Sequence, residues 1–159
     1  MSPFANTSVN NIEIASNATY GEGVFFQSNI EVVTIGANTT FGLGAFQACL
    51  SLKEVVMPAL GNVHFGTTCF AYCSSLETID LTKVDAVIES QTFYGCSSLK
   101  VALLDNVVEI GDYAFADCST LINVRIPKVE IIGEGAFSRY DTEAGAPTFN
   151  SIELPTTLK

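Results

Sequence analysis

The sequence predicts an α/β solenoid: a right-handed coil of six to seven repeats of about 22 residues. A single parallel sheet of short strands is expected on one face, with short helical or 3₁₀ turns and loops on the other. Two observations carry this. Phenylalanine recurs at Phe4, Phe25, Phe46, Phe70, Phe93, Phe115 and Phe137, spaced by 21, 21, 24, 23, 22 and 22 residues. A second motif keeps the same register: Leu52-x-x-Val55-x-Met57, Leu76-x-x-Ile79-x-Leu81, Leu99-x-x-Ala102-x-Leu104 and Leu121-x-x-Val124-x-Ile126. Val9-x-x-Ile12-x-Ile14 and Ile30-x-x-Val33-x-Ile35 fit with one residue deleted, and Phe149-x-x-Ile152-x-Leu154 fits after an insertion.

The first element of each repeat follows from the apolar-x-apolar ending. Period two places alternate side chains on one face, so it reads as a short strand. Gly36, Pro58, Pro127 and Pro155 then end it. The second element surrounds the phenylalanine. An apolar residue and Gly stand five and four positions before it, as in Phe41-Gly42, Phe65-Gly66, Ile110-Gly111 and Ile132-Gly133. A small or medium residue precedes it directly (Val24, Ala45, Cys69, Thr92, Ala114, Ala136), and Ser28, Cys49, Cys73, Cys96, Cys118 or Tyr140 follows three later. Apolar spacings of four, one and three suit a single helical or 3₁₀ turn better than a second long strand. One strand and one tight turn cannot bury their own apolar face. Stacking buries it and aligns the strands at roughly 4.8 Å.

The stretch Leu121-Ile122-Asn123-Val124-Arg125-Ile126-Pro127-Lys128-Val129-Glu130-Ile131-Ile132-Gly133-Glu134-Gly135-Ala136-Phe137 resembles the BspA-like leucine-rich repeats, whose pattern is close to L-x-x-I-x-I-P-x-x-V-x-x-I-G-x-x-A-F-x-x-C. The resemblance extends over essentially the whole chain. Glu89 and Thr92 depart from it where Gly and Ala are usual, and Tyr140 stands where Cys is usual. It implies a non-enzymatic adhesion scaffold, cell-surface or secreted, that binds host or partner-cell proteins. A structural spacer inside a larger protein is the other class it allows.

Composition narrows the partners. Apolar residues make up 48% and charged residues 15% of the 159, and 17 acidic against 7 basic residues leave a formal charge of −10. Nucleic acid is excluded, because neutralising phosphate requires clustered Lys and Arg. Docking on an anionic membrane surface is disfavoured for the same reason, and no run approaches the ~20 apolar residues of a membrane span. Nothing at Met1-Ser2-Pro3-Phe4 reads as a signal peptide. The chain reads as one domain, 1–159, a piece of a longer array or one whose ends associate.

The repeat absorbs most candidate chemistry. Cys49, Cys73, Cys96 and Cys118 form one column, read as buried free thiols, although neighbours one repeat apart fall within the Cα range of a disulfide. His64 is the single imidazole, between core-type Val63 and Phe65, and is expected to point outward. One His supplies neither the usual mixed zinc set nor, without well-placed partners, a triad. No cofactor is expected. Asn6, Asn17 and Asn38 begin Asn-x-Ser/Thr triplets, open to glycosylation and equally to turn formation.

The outward strand positions remain. Glu13, Thr34, Val56, Asp80, Leu103, Arg125 and Glu153 form one column, with Asn11, Val32, Glu54, Thr78, Val101, Asn123 and Ser151 beside it. Their chemistry varies, as expected where no packing rule dictates the residue. The candidate protein-binding face is Glu54, Val56, Thr78, Asp80, Val101, Leu103, Asn123 and Arg125. Within it Val56, Val101 and Leu103 are expected to form an exposed apolar spot rimmed by Glu54, Asp80, Asp105 and Arg125. Aromatic platforms for a glycan are lacking in these columns. The insertion 141–147 in the sixth repeat is a second candidate.

Overall fold

The computed structural model describes residues 3, 4, 7 and 9–139, and the backbone of 151–153. The insertion 141–147, Asn6, Tyr140 and Phe149 lie outside the described residues. Each coil carries two strands. The first strands are β1 (Asn11–Glu13), β3 (Val32–Thr34), β5 (Glu54–Val56), β7 (Thr78–Asp80), β9 (Val101–Leu103), β11 (Asn123–Arg125) and β13 (Ser151–Glu153). The second strands are β2 (Thr19–Tyr20), β4 (Thr39–Phe41), β6 (Asn62–Phe65), β8 (Asp85–Ile88), β10 (Glu109–Ile110) and β12 (Ile131–Ile132). All pairings are parallel and join equivalent positions of successive coils, such as Val124 beside Ala102 and Ile110 beside Ile88.

The expectation of a single sheet is corrected. The second strands form a continuous six-stranded sheet, and the first strands divide into β1–β3–β5 and β7–β9–β11–β13. The apolar residue five before each column phenylalanine from Phe25 to Phe137 therefore ends a short strand, and the column glycine (Glu89 in one coil) follows it. A strand length of two to four residues is too brief for a period to show in sequence.

The turn segment is also not a 3₁₀ helix: no helix of any type occurs among the described residues. The hydrogen bonds explain why. Ala45, Gln47 and Cys49 donate to carbonyls three residues back, at 3.3, 3.0 and 3.2 Å. The intervening Gly44, Phe46 and Ala48 donate instead to Thr67, Cys69 and Ala71 of the next coil, at 2.9, 2.8 and 2.8 Å. A 3₁₀ helix would keep every N–H local. Here every second one ties neighbouring coils, and the turns remain separate β-turns. The alternation puts left-handed backbone two residues before and two after Phe25, Phe46, Phe70, Phe93 and Phe115, as at Gly44 (φ 60°), Ala48 (φ 58°), Thr68 (φ 56°) and Tyr72 (φ 62°).

Burial follows the columns. Val33, Val55, Ile79, Ala102 and Val124 point inward from the first strands. Phe25, Phe46, Phe70, Phe93, Phe115 and Phe137 stack with ring centroids 4.8–5.4 Å apart and planes within 15°. Ring spacing thus matches coil spacing, and each pair adds about 0.5–1.5 kcal/mol beyond its area. The column glycines permit this closeness. A Cβ on Gly111 would lie 2.6 Å from the Glu89 carbonyl carbon in the preceding coil.

Candidate functional site

The first-strand face is built by register. Thr78, Val101 and Asn123 are aligned across β7, β9 and β11, and so are Asp80, Leu103 and Arg125. Glu54 aligns with Val32, and Val56 with Thr34. Glu54, Val56, Thr78 and Asp80 are exposed, whereas Val101, Leu103, Asn123 and Arg125 are half-buried. Of the three apolar residues only Val56 is exposed, at 37%. The expected apolar spot is therefore smaller, and Val56 is cut off from Leu103 by the polar strand β7.

The two halves of the face do not pair. Ile35, Leu81 and Leu104 each donate a backbone bond to the next coil, and Met57, at the same position between β5 and β7, has no such bond among those described. At this break lies an open groove of about 680 Å³, lined by Lys53, Glu54, Glu77, Thr78 and Asp80 among others. Lys53 pairs with Glu31 at 2.7 Å and Lys100 with Glu77 at 3.1 Å. Arg125 holds Asp105 through two guanidinium nitrogens. The cations here are held by carboxylates, so exposed Glu54 and Asp80 set a negative field.

His64 points outward, half-exposed, as expected. Its partner is Glu89, whose only signal in the sequence is its departure from the repeat where Gly is usual. Glu89 occupies the glycine column, and its carboxylate reaches back to the preceding coil. His64 Nε2 donates to Oε1 at 2.6 Å, and Thr67 donates both its amide and its hydroxyl to Oε2 at 2.8 Å. Partial burial raises the Glu89 pKa, but these hydrogen bonds outweigh it and hold the carboxyl below its ordinary range. The acid sits between the imidazole and the hydroxyl. Nucleophilic catalysis instead needs the imidazole in the middle, so the cluster is a clamp between coils.

The thiol column is structural. All five cysteines are buried and free. Cys49, Cys73, Cys96 and Cys118 donate to the carbonyls of Phe25, Phe46, Phe70 and Phe93 in the preceding coils, at 3.1–3.2 Å. Burial pushes the Cys73 and Cys118 thiols well up, opposing the reactive thiolate. Asn17 and Asn38 are exposed and left-handed, and Asn38 Nδ2 donates to Asn17 Oδ1 at 3.0 Å. They form a turn ladder. Among the described residues no three His, Cys, Asp or Glu converge on a possible ion position, and no helix is long and apolar enough to cross a membrane.

A stack of two-stranded coils with a shared phenylalanine ladder and a variable strand face defines a leucine-rich-repeat solenoid, a class of scaffold that generally serves protein–protein interaction. The chain belongs to the BspA type leucine rich repeat region family, which matches residues 1–77 and 39–153 in six copies. Its fold is similar to that of a leucine-rich-repeat protein of T. pallidum (22% identity, TM-score 0.64, 80% of this chain and 70% of that one). It is also similar to a leucine-rich-repeat protein from Bacteroides ovatus (27% identity, TM-score 0.57, 79% of this chain and 39% of that one). No curated protein sequence matches the chain.

Proposed function

We propose that this chain is a non-enzymatic adhesion scaffold, at the cell surface or secreted, that binds a host or partner-cell protein through its first-strand face. The observation carrying this reading is the contrast between columns. Inward positions repeat one chemistry from coil to coil, whereas the exposed positions change within each column, from Glu54 to Thr78 and from Val56 to Asp80. A position free of packing rules is available for recognition. The partner segment would be basic, because Glu54 and Asp80 stand exposed beside cations that already have acidic partners. The half-buried Val101, Leu103, Asn123 and Arg125 would form the flank of the contact, and the mechanism is non-covalent contact along a rigid face.

Immobilised extracellular-matrix proteins, probed with wild type and with the Glu54→Lys/Asp80→Lys variant, test the reading. Both positions are exposed, so the variant is expected to fold. Its affinity for the bound matrix protein should fall at least about tenfold. Equal binding by both proteins would remove this face as the site, and no binding to any matrix protein would favour a spacer.

A further inference from the structure

The structure places aromatic side chains where the strand columns have none. Three tyrosines from three successive coils gather on the turn face: Tyr72, Tyr94 and Tyr113. With Gln47, Thr68 and Gln91 they line a groove of about 420 Å³. We propose that this groove binds a neutral oligosaccharide.

The groove is chemically unlike the rest of the surface. In a chain of formal charge −10, no charged side chain lines it. It presents aromatic rings, two side-chain amides and a hydroxyl. A sugar matches that set: its C–H face packs on a ring, and its hydroxyls both donate to and accept from amides. An anionic ligand would find no counter-charge in the lining, and the nearest carboxylates, Asp117 and Glu134, accept hydrogen bonds from the tyrosine hydroxyls.

The rings are held in place before any ligand arrives. Tyr94 Oη donates to Asp117 Oδ2 at 2.9 Å, and Tyr113 Oη donates to Glu134 Oε1 at 3.0 Å. Tyr72 meets Tyr94 edge-to-face, centroids 5.4 Å apart at 75°. Ring seating depends on the glycines one coil on: a Cβ on Gly95 would lie 2.8 Å from Tyr72 Cδ1. Fixed rings lose little entropy on binding.

The backbone carries strain at the same place. Left-handed positions two residues before the phenylalanines hold Gly23, Gly44 and Gly135 in other coils, but Thr68 (φ 56°), Gln91 (φ 57°) and Tyr113 (φ 55°) around the groove. Two residues after, Gln27, Ala48, Tyr72 and Asp117 are all left-handed and coil four alone holds a glycine, Gly95, so the contrast lies in the earlier position. There Thr68, Gln91 and Tyr113 keep a backbone that disfavours their side chains, beside one groove, where glycine serves coils one, two and six. Strain kept at one site in this way marks a functional surface.

Cellohexaose, maltohexaose and chitohexaose, titrated against the whole chain, provide the test. Binding is read from the tyrosine ring signals by NMR and from tyrosine emission, since the chain has no Trp. At least one hexasaccharide should shift the Tyr72 and Tyr94 rings. Tyr72→Gly, which keeps the left-handed backbone and the fold, should weaken that binding about tenfold. Val56→Asp on the strand face should leave it unchanged. The proposal is overturned if no hexasaccharide moves these rings, or if Tyr72→Gly with an unchanged melting curve binds as tightly as wild type. It is equally overturned if a proline decapeptide takes the groove and the sugars do not.

Discussion

The third and fourth coils meet differently on their two strand faces. On the first-strand side β5 and β7 share no ladder, and a groove opens between them. On the second-strand side β6 and β8 pair over four residues, from Asn62–Asp85 to Phe65–Ile88, the longest pairing among the described strands. The Glu89 clamp to His64 and Thr67 lies on this same side. One junction is thus open at one face and doubly fastened at the other. Cohesion in a solenoid is a sum of nearest-neighbour terms, so one interface can lose a ladder where another part of it compensates. The face that varies most in chemistry is also the face whose backbone is interrupted.

The largest test removes the fastening. Phe65 is fully buried, packs against Phe41, Phe70 and Phe93, and ends the four-residue pairing. Phe65→Ala should cost about 3–5 kcal/mol in denaturant unfolding. A loss below about 1 kcal/mol would show that the junction does not depend on the second-strand face.

Most of the core was legible in the sequence, because packing repeats the same residue at the same place. Phe46, Phe70, Phe93 and the thiols above them stand in columns that register alone exposes. The second sheet was not legible. Strands such as Glu109–Ile110 are too short to show a period, and the apolar-Gly pair at their end is equally compatible with a turn. Nor was the break at β5–β7, since Val55 and Ile79 both fit the repeat and only their missing ladder separates them. The tyrosine groove escaped for another reason. Tyr72, Tyr94 and Tyr113 stand two after, one after and two before their phenylalanines, so no column contains them together.

A smaller effect comes from the close approach of second strands. Gly111→Ala forces a Cβ to within 2.6 Å of the Glu89 backbone, whereas a Cβ on Gly21 meets nothing within 4 Å. Gly111→Ala should cost about 1–3 kcal/mol through overpacking, and Gly21→Ala well under about 1 kcal/mol. Equal melting shifts for the two would mean that the glycine column serves turn flexibility and not coil spacing. The open side has its own signature in hydrogen exchange. Met57 lacks the inter-coil bond that Leu81 and Leu104 make. Its amide should exchange at least about tenfold faster than theirs, because exchange follows local opening. Matched protection at the three amides would close the gap between β5 and β7.

The smallest effect isolates the clamp. The Glu89 carboxyl titrates below its ordinary range in the folded chain because the hydrogen bonds from Thr67 and His64 outweigh partial burial. A folded value below the unfolded one stabilises the protein above the unfolded value, and that stabilisation is lost as pH falls through the folded one. Wild type should therefore exceed Glu89→Gln in stability near neutral pH. The margin stays under about 1 kcal/mol, because the Glu89 side chain is 36% exposed and water competes for its contacts. The margin should shrink below about pH 4 and vanish once the carboxyl is protonated. A difference that stays constant from neutral to acid pH would assign the effect of the substitution to packing in the glycine column. The clamp would then be a tolerated side chain, and the tight side of the junction would rest on the β6–β8 ladder alone.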